Sequence, residues 1–210
     1  MKNIGSPHQP LPSVAPVMVL PGAVLFPHAL MPLFIFEPRY RAMLSHTLEE
    51  DRVFCVAMMK PEVTEARSAV DFHHIAGIGM VRACVAHEDG TSHLVLQGLA
   101  RVDLRSFVQE KPFRIAEIRE VRPSVGDPAE LAELCDALRE RSAEIILPDP
   151  AVQEKLSEQL EQIEDPAVLG DLLAHTFLRD PLSQQEVLEE RDLAKRLTMV
   201  LRLLNAQPEP

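Results

Sequence analysis

The chain has 210 residues, 46% apolar and 25% charged, which suits a globular protein with length enough for one large domain or two small ones. Its formal charge of −11 is uneven: residues 1–123 hold 13 Lys and Arg against 13 Asp and Glu, and residues 124–210 hold 8 against 19. An acidic second half disfavours a broad nucleic-acid footprint, DNA above all, and the lack of Trp with a single Tyr argues against an aromatic platform for stacked bases.

The opening MKNIGSPHQPLPSVAP carries Pro and polar residues instead of an apolar signal core, so residues 1–15 are expected to be a flexible segment. No apolar run approaches the ~20 residues that span a bilayer, so no membrane is expected and the cytoplasm is the expected location. From there to about residue 123 the pattern is strand-like. Val17-Met18-Val19-Leu20 is closed by the turn pair Pro21-Gly22, and Leu33-Phe34-Ile35-Phe36 follows Pro32. Glu37-Pro38 then starts a helix with Pro at its first position, where the missing N–H costs nothing, and Tyr40, Met43, Leu44, Thr47 and Leu48 share one face.

Val53 to Met59 is continuously apolar and reads as a strand covered on both sides. Ile75–Val85 and Ser92–Gln97 flank His87-Glu88-Asp89-Gly90, a hairpin signal; Leu94 and Leu96 point one way, and His93, Val95 and Gln97 the other. Val102–Leu104 and Phe113–Ile115 continue the series across a turn at Lys111-Pro112. Gly77, Gly79 and Gly98 mark the bulges or tight bends of a closed or strongly coiled sheet.

Past Gly126 the apolar period becomes 3.6. Asp127-Pro128, Asp149-Pro150 and Asp165-Pro166 repeat one start signal, an Asp cap followed by Pro, and Ser183-Gln184-Gln185-Glu186 supplies a fourth as a capping box. The stripes Leu131/Leu134/Cys135/Leu138/Ile145, Val152/Leu156/Leu160/Ile163, Val168/Leu169/Leu172/Leu173/Phe177 and Leu193/Leu197/Val200/Leu201/Leu204 belong to helices that need partners. The expected plan is therefore α+β: a β-rich part with one helix over 16–123, a helical bundle over 127–205, and a frayed tail at 206–210.

The segments Leu20-Pro21-Gly22-Ala23-Val24-Leu25-Phe26-Pro27 and Met31-Pro32-Leu33-Phe34-Ile35-Phe36-Glu37-Pro38-Arg39-Tyr40-Arg41 resemble the opening of the Lon protease N-terminal domain, in the version seen in small stand-alone bacterial Lon-domain proteins. Ile78-Gly79 through Leu96-Gln97-Gly98-Leu99-Ala100-Arg101, Pro112–Ile118 and the stretch from Asp165 to Leu204 are similar to later parts of the same family. The resemblance implies a PUA-like β pseudobarrel followed by a helical subdomain. It also implies a recognition role: in full-length Lon the unit helps to recognise unfolded or tagged substrates and contributes to assembly, and related domains serve recognition in cereblon-like and RING-containing proteins. The structural residues of the motif would be Pro27, Pro32, Glu37, Tyr40, Gly79 and Gly98.

Catalytic signals are missing by comparison. None of Lys2, Lys60, Lys111, Lys155 or Lys195 precedes Ser or Thr, so no Walker A exists in these residues, and there is no G-x-S-x-G. Cys55, Cys84 and Cys135 are dispersed and sit in apolar surroundings, as structural thiols do. His73-His74 would face opposite ways in a strand, and His87 with His93 make at most half of a metal site, so no metal and no cofactor are expected. The expected function is that of a non-catalytic module binding unfolded or flexible polypeptides, with the helical part as support or homodimer interface. An RNA-binding PUA-like module and a small hydrolase are the alternatives. The expected contact surface is Phe26, Met31, Phe34, Phe36, Arg39 and Arg41, since Met and Phe in Pro-rich connections suit adaptable apolar recognition and an Arg suits partner carboxylates or carbonyls. Against that, Glu37 beside a helix start and paired with an Arg would serve the corner alone.

Overall fold

In the computed structural model, residues 10–124, 126–145 and 150–206 are described. Six strands form one sheet: β1 (Val14–Pro21), β2 (Leu30–Ile35), β3 (Val53–Met59), β4 (Ile75–Ala86), β5 (Ser92–Gln109) and β6 (Arg114–Glu120). Their order is β2-β5-β4-β3-β1-β6, and the far part of β5 pairs with β6 as well, closing the sheet on itself as a pseudobarrel. β1 and β3 run parallel, while β1–β6, β2–β5, β3–β4, β4–β5 and β5–β6 are antiparallel.

β1 and β3 are apolar without alternation because both of their faces are covered. Val17, Val19, Cys55 and Ala57 enter one core with Ala15, Ala76, Ile78, Val102, Leu104 and Ala116, while Met18, Phe54 and Val56 enter another with Met43, Leu44 and Leu96. The first core is rich in Ala and Val, as the tight interior of a small barrel requires. Helix α1 (Pro38–Glu49) lies over the second. Its Tyr40 hydroxyl donates to the Val19 carbonyl (2.7 Å) and accepts the Val19 N–H (3.2 Å), taking the place of a strand neighbour where β6 has ended at its pairing with Val17.

The connection from β1 to β2 crosses the sheet surface, and two glycines let it sit close. A Cβ on Gly77 would lie 2.0 Å from the Leu25 carbonyl oxygen, and one on Gly98 would lie 2.0 Å from that of Phe26. Backbone bonds from His28 N–H to the Gly98 carbonyl and from Gly98 N–H to the Ala29 carbonyl, both 2.9 Å, tie the connection down.

The helical part comprises α2 (Pro128–Glu144), α3 (Pro150–Glu161), α4 (Pro166–Phe177), α5 (Pro181–Glu189) and α6 (Leu193–Asn205). Asp127, Asp165, Asp180 and Asp192 cap α2, α4, α5 and α6, each carboxylate accepting a backbone N–H of the first turn. Leu138, Leu169, Leu173, Leu197, Val200 and Leu204 form their shared core, which Val24, Phe26, Ala29 and Met58 of the β part enter.

Several boundaries differ from expectation. β1 starts at Val14, and Ala15 is buried, so the expected flexible segment is shorter at its inner end; residues 1–9 lie outside the described residues. β5 is a single strand of 18 residues rather than two, because its first half serves β2 and β4 and its second half β4 and β6. The expected start at Ser183 moves to Asp180-Pro181: Asp180 takes the Ser183 N–H (2.8 Å) and hydroxyl (2.7 Å), so Ser183 is a first-turn donor and not the cap. The expected cap Asp149 and most of the tail, residues 207–210, lie outside the described residues.

Candidate functional site

Among the described residues β2 is an edge strand, paired only with β5. Pro32 sits within it, as Pro can on an edge where its missing N–H removes no ladder bond. Because side chains alternate, Met31, Leu33 and Ile35 turn toward the core under α1, and Leu30, Pro32 and Phe34 face outward. Across the strands Phe34, His93 and Val85 form one row, and Pro32, Val95 and Ala83 the next. A shallow hollow of about 400 Å³ is lined by these residues with Leu33 and Leu94, and no charged side chain enters its lining.

Four large apolar side chains here are about half exposed or more: Leu30 (55%), Phe34 (49%), Phe36 (58%) and Val85 (60%). Phe34 stacks on both Phe36 (5.8 Å between ring centres) and His93 (4.6 Å). His93 Nδ1 in turn lies 2.8 Å from His87 Nε2, so the two rings meet across the hairpin. At the opposite end Arg82 donates to the Gln97 side-chain oxygen at 2.5 Å, which closes the face with a polar border. Grouped exposure of this kind on a sheet edge is what marks interaction surfaces, whereas scattered apolar residues do not.

The expected contact residues divide accordingly. Phe34 and Phe36 are on the face. Met31 is half-buried with its side chain toward α1. Phe26 is corrected: it is fully buried in the core shared with the helices, since its connection is pressed onto Gly98, and it leaves the candidate surface. Arg39 pairs with Glu37 (2.7 Å) and lies 4.7 Å over the Tyr40 ring, so the corner is fixed by the pairing expected of it, although Glu37 makes no side-chain cap bond. Arg41 reaches the β4–β5 turn, where a Cβ on Gly90 would meet its Nη2 at 1.8 Å. Leu30, Ala83, Val85 and Val95 were missed because the pairing of β2 with β5 has no local signal; for Val85 opposite His93 the Asp89-Gly90 hairpin was signal enough.

A second concavity, of about 860 Å³, lies beside the start of α1 and is lined by Arg39, Tyr40, Arg67, Lys111, Phe113 and Arg114 with Glu65 and Glu110. Its charges are mixed: Arg67 pairs with Glu65 at 3.0 Å, and Arg114 donates to the Ala66 carbonyl at 2.7 Å. Elsewhere on the β part Arg105 and Arg122 pair with Asp103 and Glu120, so acidic neighbours interrupt the positive charge. Burial pushes the Cys55 thiol far above its ordinary range and raises that of Cys135, opposite to what a nucleophile needs. His73 bonds Glu189 (2.8 Å) and His74 bonds the Leu104 and Ala69 carbonyls (3.0 Å each), so the neighbours diverge. Among the described residues no group of three or more His, Cys, Asp or Glu could hold a metal ion, and no helix is long and apolar enough to cross a membrane.

The family model of the ATP-dependent protease La (Lon) substrate-binding domain matches residues 14–206, which takes in every strand and helix described above. The chain belongs to the Lon substrate-binding domain family. It is 30% identical over 200 residues to a Lon protease of Anaeromyxobacter dehalogenans and 26% identical over 202 residues to one of Desulfosudis oleivorans, covering 95% of this chain and 24% of each relative. The chain thus spans about a quarter of the length of those Lon proteases. The N-terminal domain of a Mycobacterium avium complex Lon protease superposes with a TM-score of 0.75 at 15% identity, covering 93% of this chain and all of that one (100%). A Lon N-terminal domain protein from Xanthomonas campestris gives 0.65 at 20% identity, covering 93% and 99%. Those structures establish the Lon N-terminal fold, in agreement with the expected β pseudobarrel and helical subdomain.

Proposed function

We propose that this Lon-type domain is a non-catalytic polypeptide-binding module, and that it engages unfolded or flexible chains through the outward face of β2, β5 and β4. The observation that carries the reading is the clustering of Leu30, Phe34, Phe36 and Val85, each about half exposed or more, around an uncharged hollow beside an edge strand. An extended segment laid there would bury apolar side chains in the hollow, with Phe34 as the aromatic anchor at its centre. Arg39 and Arg41 act at the rim through the corner and the hairpin that they hold. Family membership supports the polypeptide class, and the raised thiols of Cys55 and Cys135 count against those two as nucleophiles. An adaptor role in protein quality control follows as the setting for such binding.

The test is capture of a reduced, permanently unfolded model protein by the immobilised chain, beside its native form and a bead-only control. Selective retention of the unfolded form is expected. Recovery no greater than on bare beads would overturn the reading, and retention of RNA in its place would transfer the surface to nucleic acid.

A further inference from the structure

The joint between the barrel and the helices contains more positive charge than it can pair. Arg101 on β5 donates its Nε–H to the Leu188 carbonyl of α5 (3.0 Å) and both terminal nitrogens to the Asp171 carboxylate of α4, Nη1 to Oδ2 at 2.7 Å and Nη2 to Oδ1. Both side chains are almost fully buried, and the Arg101 guanidinium faces the Phe26 ring at 6.0 Å. A second arginine, Arg196 of α6, occupies the same level. Gly170, next to Asp171, packs so tightly on Leu197, next to Arg196, that a Cβ on Gly170 would come within 2.5 Å of the Leu197 Cδ2. Arg196 is 0% exposed, and its Nε, Nη1 and Nη2 have no hydrogen-bond partner among the described residues. Burial lowers its pKa to about 10, with the Arg101 charge acting the same way and those of Asp171, Glu190 and Asp165 acting against it.

Two guanidinium groups thus lie within electrostatic reach of the Asp171 carboxylate, only Arg101 is bonded to it, and the two stand on different sides of the joint. Arg101 belongs to the barrel; Asp171 and Arg196 both belong to the helices. A buried cation without a partner is costly, and a buried carboxylate stripped of its partner is costly too. We propose that Asp171 is a two-position acceptor: held by Arg101 it locks the helical part onto the barrel, and when the joint opens it turns to Arg196.

Opening gives up the Arg101 bonds to Asp171 and Leu188, the Gln185 bond to the Ile75 carbonyl (2.9 Å) and the His73–Glu189 pair. It also exposes Val24, Phe26, Ala29 and Met58, so the open form is a minor one. The exchange of partner keeps the detached helical part internally neutralised at this point, while water solvates the freed Arg101. Arg196 thus favours opening, although it lies in the core.

Native-state amide exchange of the full chain, followed by mass spectrometry on α5, on Ile75–Gly79 and on α2, α4 and α6, tests this. Arg196→Met removes the alternative partner, and α5 should exchange more slowly with no loss of thermal stability. Arg101→Met should speed α5 exchange by about tenfold or more, the scale of a lost charged hydrogen bond, while α4 and α6 keep their protection. The double variant leaves Asp171 alone, and α4 and α6 should then lose protection as well. Faster α5 exchange or failure to fold in Arg196→Met would overturn the proposal, as would α4 and α6 protection that is the same in the double variant and in Arg101→Met.

Discussion

Tyr40→Phe is the most informative single change to the barrel. The hydroxyl serves both backbone groups of Val19, at 2.7 and 3.2 Å, in a place where both residues are about 5% exposed. Phe keeps the ring and its packing but orphans a buried carbonyl and a buried N–H. At ~1–3 kcal/mol for each unsatisfied group, less what water recovers, the loss is about 2–4 kcal/mol. For a chain of this size that is a fall in Tm of roughly 5–15 °C. Tyr40 is the only Tyr and Trp is absent, so near-ultraviolet absorbance reports on this one phenol. Burial raises its pKa above the ordinary 10.0, outweighing the opposing Arg39 charge. The folded state then holds the phenolic proton more tightly than the unfolded state does. Its contribution is complete below the unfolded pKa and is lost as pH rises from there toward the folded value. Thermal unfolding with an absorbance titration in native buffer tests both parts. A Tyr40→Phe melt within ~1 °C of the parent, or phenolate forming at or below the ordinary value, would refute the reasoning.

Two further changes test the local logic. Gly98→Ala places a methyl 2.0 Å from the Phe26 carbonyl oxygen, which only a backbone shift can relieve, so a loss of about 3 kcal/mol or more is expected in a denaturant titration. Asp180→Ala removes the α5 cap and should cost about 1 kcal/mol, detectable as lower helical circular dichroism and a lower midpoint; no change would return the helix start to Ser183.

The parts of this fold that were legible from residues alone are those fixed by neighbours in the chain. Asp-Pro starts, the Asp89-Gly90 hairpin, the α1 face and the doubly covered β3 all depend on contacts within a few residues. Pairings between distant segments were not legible. The Arg101–Asp171 lock joins residues 70 apart, and nothing near either one signals the other. The burial of Phe26 was hidden for the same reason, because it depends on Gly98 lying beneath its connection. The sequence drew attention to Phe34 and Phe36 as a class, Phe in a Pro-rich connection, but only the register of β2 on β5 separates them from Phe26. Leu30 joined the site through that register alone, whereas Val85 is set opposite His93 by the local β4–β5 hairpin.

The proposed function is tested most directly by the affinity of a labelled unfolded polypeptide for the chain and for Phe34→Ser. Val70→Ser serves as the control: Val70 is 71% exposed but lies in the turn before β4, away from the face. Binding by Phe34→Ser should weaken about tenfold or more through loss of a central aromatic anchor, with unchanged melting, and Val70→Ser should have no effect. Equal affinities for all three would contradict the proposed function.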